Sequence, residues 1–198
     1  MPKARFIGEI VGQLSVALSK VDVITNQANI FKSAKEWAIP ALAGKIDFPK
    51  SFIEMYEMEF GEIYESLPQQ IIHRDPNPGN IILCGDNWGV LDFDLSERNI
   101  RIFDPCYAAT AILSESFEAD NTDKLNQWMM IYKNILYGYD EVLKLSDNEW
   151  KAIPYVVITN QLISTAWFSE QEKYGELYET NKKMTEWMLH NFGDMLFV

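Results

Sequence analysis

The sequence predicts a mainly helical α+β domain with one small β element. Two patterns carry that reading. Apolar residues recur at helical spacing in long stretches on both sides of a central segment, 71–93. Within that segment they gather instead into short runs separated by turn residues. The composition supports the same class, because 47% hydrophobic and 13% aromatic residues can build a substantial core and are not those of a disordered chain. At 198 residues the chain has the size of one domain, or of a large lobe of one.

Taken in order, residues 4–19 place Ile7, Ile10, Val11, Leu14 and Leu18 on one helical face. Gly8 and Gly12 lie four apart in that helix and read as a place of close packing, not as a phosphate loop. After the polar "TNQAN", residues 30–37 form a second, weaker helix that Pro40 is expected to stop. Phe52, Ile53, Tyr56, Phe60, Ile63, Tyr64 and Leu67 mark a third, ended by Pro68. The runs 71–72, 81–83 and 90–93 read as buried strands, the last two a hairpin around "GDNWG". Helix returns from Asp104, beginning with "YAATAILSE" and continuing over 122–137, 147–168 and 176–190. No internal repeat, low-complexity segment or flexible linker interrupts this order.

The charge balance excludes some partners. Seventeen basic against 29 acidic residues leave −12, with no basic patch to track a phosphate backbone, so nucleic acid is not an expected partner. An acidic surface of this kind tolerates or attracts cationic small molecules, although most of its charges serve solubility. Cys84 and Cys106 form no CxxC pair and read as ordinary buried thiols. No apolar run approaches the roughly 20 residues of a membrane span, and the N-terminus lacks a secretory apolar core; a cytoplasmic protein without membrane partners is expected.

The chemistry concentrates in "HRDPNPGNIILCGDNWGVLDFD", residues 73–94. Asp75 and Asn80 are five apart, and Pro76 and Pro78 between them fix φ and stiffen the loop. Asp92 follows twelve residues after Asn80, at the end of a strand-like run that would aim it at the same loop. One carboxylate and one amide oxygen, completed by water and phosphate oxygens, suit Mg²⁺. Asp75 then remains to accept a proton or orient a nucleophile. A base, an amide ligand and a metal-binding carboxylate are the parts of a phosphoryl-transfer site.

"HRDPNPGN" followed by "LDFD" resembles the catalytic loop and metal segment of the aminoglycoside phosphotransferase and choline kinase-like family, small-molecule relatives of the protein kinases. "FDPCYAATAIL", 103–113, is similar to the family's following segment. The resemblance implies the C-terminal lobe of a protein-kinase-like fold over 1–198, with a catalytic loop at 73–80, a metal segment at 90–94 and a helical substrate region at 1–67 and 104–198. It implies a phosphotransferase that moves the γ-phosphate of ATP to a substrate hydroxyl with Mg²⁺. Asp75 would be the catalytic base, and Asn80 and Asp92 the metal ligands. His73 would brace the loop and Arg74 pair with a nearby acid. Asp94 would be an outer acceptor or a turn cap. Asp104 reads as a helix N-cap, and the resemblance implies that it braces the loop as well.

This chain departs from the family pattern at Arg74, where Gly is usual, at Pro76 and Asn77, where Leu and His are common, at Leu95 and at Ala108. These positions leave the acceptor open among aminoglycosides, choline, homoserine and sugars, and a cationic acceptor is one expectation. The N-terminal lobe is not visible: there is no GxGxxG, and "AGK" at 43–45 lacks P-loop spacing. A truncated gene, a separate N-lobe chain or a homodimer would account for this, and a lone chain would lack much of the ATP-binding surface. The rival reading is a non-catalytic kinase-like scaffold; a metal-dependent hydrolase fits less well, because two-metal sites need more bridging ligands. Trp128, Tyr132, Trp150, Trp167 and Phe168 invite a cation–π reading, but their helical spacing favours core.

Overall fold

A computed structural model describes residues 2–84 and 87–196. Helix α1, Pro2–Leu18, opens the chain. It packs along α5, Thr122–Val142, so closely that the two backbones touch. A Cβ on Gly8 would stand 2.0 Å from the Ile135 carbonyl oxygen, and one on Gly138 would stand 2.0 Å from that of Arg5. Glycine is therefore required on both helices, whatever its cost in helix propensity.

Helix α2, 30–42, does not stop at Pro40. It runs as Ile30–Ser33, a π-type segment Ala34–Ala38 and Ile39–Leu42. The wider turn lets the Ile39 N–H reach back five residues to the Ala34 carbonyl. Pro40 then falls in the first turn of the next segment, where its missing N–H costs nothing. The chain turns away only at Gly44, at φ +75°. Helix α3, 50–64, has a π-type centre at Tyr56–Phe60. It buries Phe52, Tyr56, Phe60 and Tyr64, and Phe31 of α2 stacks on this stripe 5.5 Å from the Tyr56 ring.

Strand β1, Gln69–Ile72, pairs antiparallel with β4, Glu97–Ile100, with Gln69 opposite Ile100 and Ile72 opposite Glu97. Residues 26–28 lie along the outer edge of β4 through Arg98. Between them, β2, Ile81–Cys84, and β3, Asn87–Val90, form the hairpin expected from the sequence. Its strands differ in two respects. The second ends at Val90, so 91–93 is not strand. Nor is the hairpin buried: Ile82 and Leu83 are 48% and 58% exposed, and Cys84 is an exposed thiol while only Cys106 is buried. Asn87, Trp88 and Gly89 of the expected turn belong to β3; Gly85 and Asp86 lie outside the described residues.

Helix α4, Phe103–Ser116, leads back into the helical layer. Helix α6, Asp147–Ser169, runs through its centre with most of its side chains buried. Its N-terminus carries a capping box of Ser146 and Glu149. The same buried Glu149 takes a two-pronged ion pair from Arg101, with Nη2 at 2.7 Å from Oε2, which ties the end of β4 to α6. Helix α7, Gly175–His190, packs on α6. Of the five aromatics with a core reading, Trp128 and Tyr132 are buried, and the Trp128 indole donates to the Ala109 carbonyl at 2.8 Å. Trp150 and Phe168 are half-buried, and Trp167 is 44% exposed.

The contact of α1 with α5 gives a direct test. Gly138→Ala should gain about 1 kcal/mol of helix propensity yet lose about 1–3 kcal/mol net, because the new methyl must push the two backbones apart. Urea unfolding of the two proteins measures the difference, and a more stable variant would contradict the backbone contact.

Candidate functional site

The site is built around Asp104, expected from the sequence to cap a helix and to brace the loop. Asp104 caps nothing: Ile102 precedes α4, and Asp104 sits inside its first turn, 1% exposed. Its two oxygens accept from the backbone of the loop after β1. Oδ2 takes the His73 N–H and Oδ1 the Arg74 N–H, each at 2.9 Å. Burial pushes the Asp104 carboxyl up to about 6, against the pull of those two N–H groups and of His73 toward the charged form.

The clamp holds Arg74 in the left-handed region, at φ +74°. Such a conformation costs a non-glycine residue about 1 kcal/mol or more, which a Gly here would not incur. Arg74 has a compensating contact, its Nε lying 3.1 Å from Glu97 Oε1. Glu97, buried on β4, also accepts from the Asn99 amide at 3.0 Å, and Asn99 accepts from the Tyr64 hydroxyl at 3.3 Å. The 73–80 loop is thus wired through β4 to α3.

His73 is fully buried, and both its ring nitrogens are occupied. Nδ1 accepts the Asp75 N–H at 3.2 Å, so Nε2 carries the hydrogen that meets the Leu91 carbonyl at 2.8 Å. The Leu91 N–H in turn donates to the Asn80 carbonyl at 2.9 Å. The N–H of Leu91 thus makes one last rung of the β2–β3 ladder, but its carbonyl is taken by His73, and the pairing ends there. The chain bends at Asp92, φ +61°, and Phe93 packs against the His73 ring at 4.6 Å. This explains the early end of β3 and leaves Asp92, one residue past the Leu91–Asn80 bond, with its side chain exposed.

Asp75 lies half-buried between amide donors. Asn77 Nδ2 donates to its Oδ1 at 2.8 Å and Asn80 Nδ2 to its Oδ2 at 3.1 Å; Asn80 Nδ2 also reaches the Asp75 carbonyl at 2.9 Å. Asn77 accepts the Gly79 N–H at 2.8 Å and so caps the short 3₁₀ turn Pro78–Asn80. Tyr107 faces the same carboxylate, and burial together with Asp75 pushes its hydroxyl up to about 12, so it stays a donor.

With its nitrogen committed to Asp75, Asn80 keeps Oδ1 for another partner. An amide oxygen and a carboxylate are hard oxygen donors that fit Mg²⁺. Asp94 is exposed beside a turn that the main chain itself closes, Ser96 N–H to Phe93 carbonyl at 3.0 Å. Asn77, Glu97, Asn99 and Tyr107 belong to the site without having been singled out for it. The Asn-Pro-Gly turn and the aromatic three residues after Asp104 were the signals available for Asn77 and Tyr107.

A helical body with two small antiparallel sheets and this loop defines a kinase-like fold. Residues 31–129 match the phosphotransferase enzyme family, and the chain belongs to that family. Among solved structures it is similar to amicoumacin kinase hAmiN in complex with AMP-PNP, Ca²⁺ and Ami, at TM-score 0.62 and 14% identity. The match covers 92% of this chain and 58% of that one, so the chain spans little more than half that kinase's length. Among curated proteins none matches.

The Asp104 clamp makes stability depend on pH. A carboxyl raised from 3.8 to about 6 binds its proton more readily in the folded chain, so its contribution to stability falls as pH rises through that window. Asp104→Asn cannot accept both N–H groups and should be the less stable protein by about 1–3 kcal/mol at pH 7. Its deficit should widen by about 2 kcal/mol at pH 4, where the wild-type carboxyl is largely neutral. Urea titrations at pH 4, 5, 6 and 7 measure this; a deficit independent of pH would rule the titration out.

Proposed function

We propose that this chain supplies the catalytic lobe of an ATP-dependent, Mg²⁺-dependent small-molecule phosphotransferase. The observation that carries the reading is the fixing of Asn80, whose amide nitrogen is held by Asp75 while its backbone carbonyl takes the N–H of Leu91, the residue before Asp92. Asn80 Oδ1 and the Asp92 carboxylate would hold Mg²⁺, which when bound draws charge from the donor phosphates. The solved relative's complex with AMP-PNP and Ca²⁺ supports nucleotide and divalent-metal use.

Asp75 would receive the acceptor hydroxyl in this arrangement. Asn77 and Asn80 fix its carboxylate, leaving lone pairs to orient the hydroxyl and take its proton. Since the phosphoryl transition state is loose, alignment matters at least as much as proton removal. The nucleotide's outer surface would be covered by residues beyond those described, from a further segment, another chain or a second copy. Among the described residues no helix is long and apolar enough to cross a membrane.

Calorimetric titration of the purified chain with ATP, with and without Mg²⁺ and alongside Asp92→Ala, tests the half-site. Metal-dependent binding that the variant loses supports the reading, and binding indifferent to both metal and Asp92 would overturn it. In the assembled enzyme, Asp75→Ala should lower kcat by about 10²–10⁴-fold with nucleotide affinity nearly unchanged. Full activity in that variant would remove Asp75 from the role of base.

A further inference from the structure

Behind the catalytic loop lies a cavity of about 460 Å³, within the range of small-molecule sites. Its walls come from α2, α4, α6 and the loop itself, with Trp37, Phe103, Tyr107 and Trp167 as the main apolar surfaces. Tyr107 joins it to Asp75, since the hydroxyl of this wall residue faces that carboxylate. Two features are unusual. Asn160 of α6 lines the cavity at 3% exposure, yet among the described residues neither its Oδ1 nor its Nδ2 has a hydrogen-bond partner. Among the described residues, no lining side chain is a carboxylate, and the single charged one is the Arg74 guanidinium.

We infer that this cavity is the acceptor site and selects a neutral, ring-bearing molecule with a carboxamide-like edge, read by Asn160. The inference deepens the phosphotransferase reading and rests on it for the word acceptor. A buried amide left without partners opposes folding, so its retention is explained by a ligand that supplies them. An amide offers a donor and an acceptor side by side. Its complement is a group with the same pair reversed: a carboxamide, a lactam or a carbamate. The surrounding aromatic faces bury a ring. The Trp37 indole N–H is already given to Glu170 Oε1 at 3.0 Å, so that residue offers only apolar surface.

Charge argues in the same direction. A polycationic acceptor would meet Arg74 and no lining carboxylate, whereas a neutral one meets a guanidinium already engaged by Glu97. The acid excess of the whole chain therefore does not extend to the lining itself; the adjoining carboxylates are Asp75, faced by Tyr107, and Glu170, held on the Trp37 indole. A hydroxyl on the bound molecule would reach Asp75 past Tyr107.

The test is an NMR titration of the ¹⁵N-labelled chain with N-acetyl-tyrosinamide, neutral and amide-bearing, and with tyramine, which keeps the phenol but carries an ammonium. The first should give saturable shifts of the Asn160 side-chain amide and of the Trp37 and Trp167 indole signals. Tyramine should bind at least about tenfold more weakly. Asn160→Leu should weaken N-acetyl-tyrosinamide by about tenfold while melting no lower than wild type, because it replaces an unpaired amide by an apolar group of similar size. If that variant proves less stable, the amide serves the fold and the inference falls. Trp167→Ala, at a half-exposed position, should lose the same affinity without unfolding. Absence of saturable shifts at these side chains, or tyramine binding as tightly, overturns the assignment. Metal-dependent ATP binding that persists in that case leaves the phosphotransferase reading standing. Loss of ATP binding with the Asn160 shifts intact would sink only the phosphotransferase reading.

Discussion

Everything at the site hangs on the Asp104 carboxylate accepting two consecutive backbone N–H groups from His73 and Arg74. Removing a charged oxygen pair from water is costly, and the burial that raises the Asp104 pKa is the measure of that cost. What the cost secures is geometry. The clamp fixes the turn at Arg74, the turn places His73, and the two nitrogens of His73 then position Asp75 and Leu91. A carboxylate thirty residues away in sequence thus sets the relation between the proposed base and the proposed metal segment, although it touches neither.

The helical frame gives that carboxylate a rigid mount. Its helix α4 is stacked on α6, the most buried element, and α6 is anchored at its start by Glu149 to Arg101, directly after β4. Two π-type segments, in α2 and α3, let those helices follow the aromatic layer without breaking. The apparent obstacle at Pro40 is absorbed by one of them. Such wide turns often stand near functional sites, and α2 contributes Trp37 to the cavity wall.

The helices were legible because burying one face forces apolar residues to recur at helical spacing, and α1, α3 and α5–α7 obey that. Strand β4 was not: its "ERNI" turns Glu97 and Asn99 inward to a polar network, which reverses the usual pattern of apolar residues inside. Nor could the end of β3 be seen, since it depends on a histidine eighteen residues earlier capturing the Leu91 carbonyl. At the site, Asp75, Asn80 and Asp92 stand out through their spacing. Asn160 does not, because an asparagine within the apolar run of α6 reads as an ordinary interruption until its missing partners and the cavity beside it are seen together.

The hairpin β2–β3 leaves the two thiols of the chain in opposite situations. Cys106 is sealed in the core, where desolvation drives its pKa well above that of a free thiol, while Cys84 stands in the open at the tip end of β2, four residues past Asn80. Thiolate-directed reagents act on exposed cysteines and leave buried ones alone. The unaltered chain therefore carries a built-in attachment point for a single fluorophore or spin label, set at the rim of the loop whose occupancy one would wish to watch.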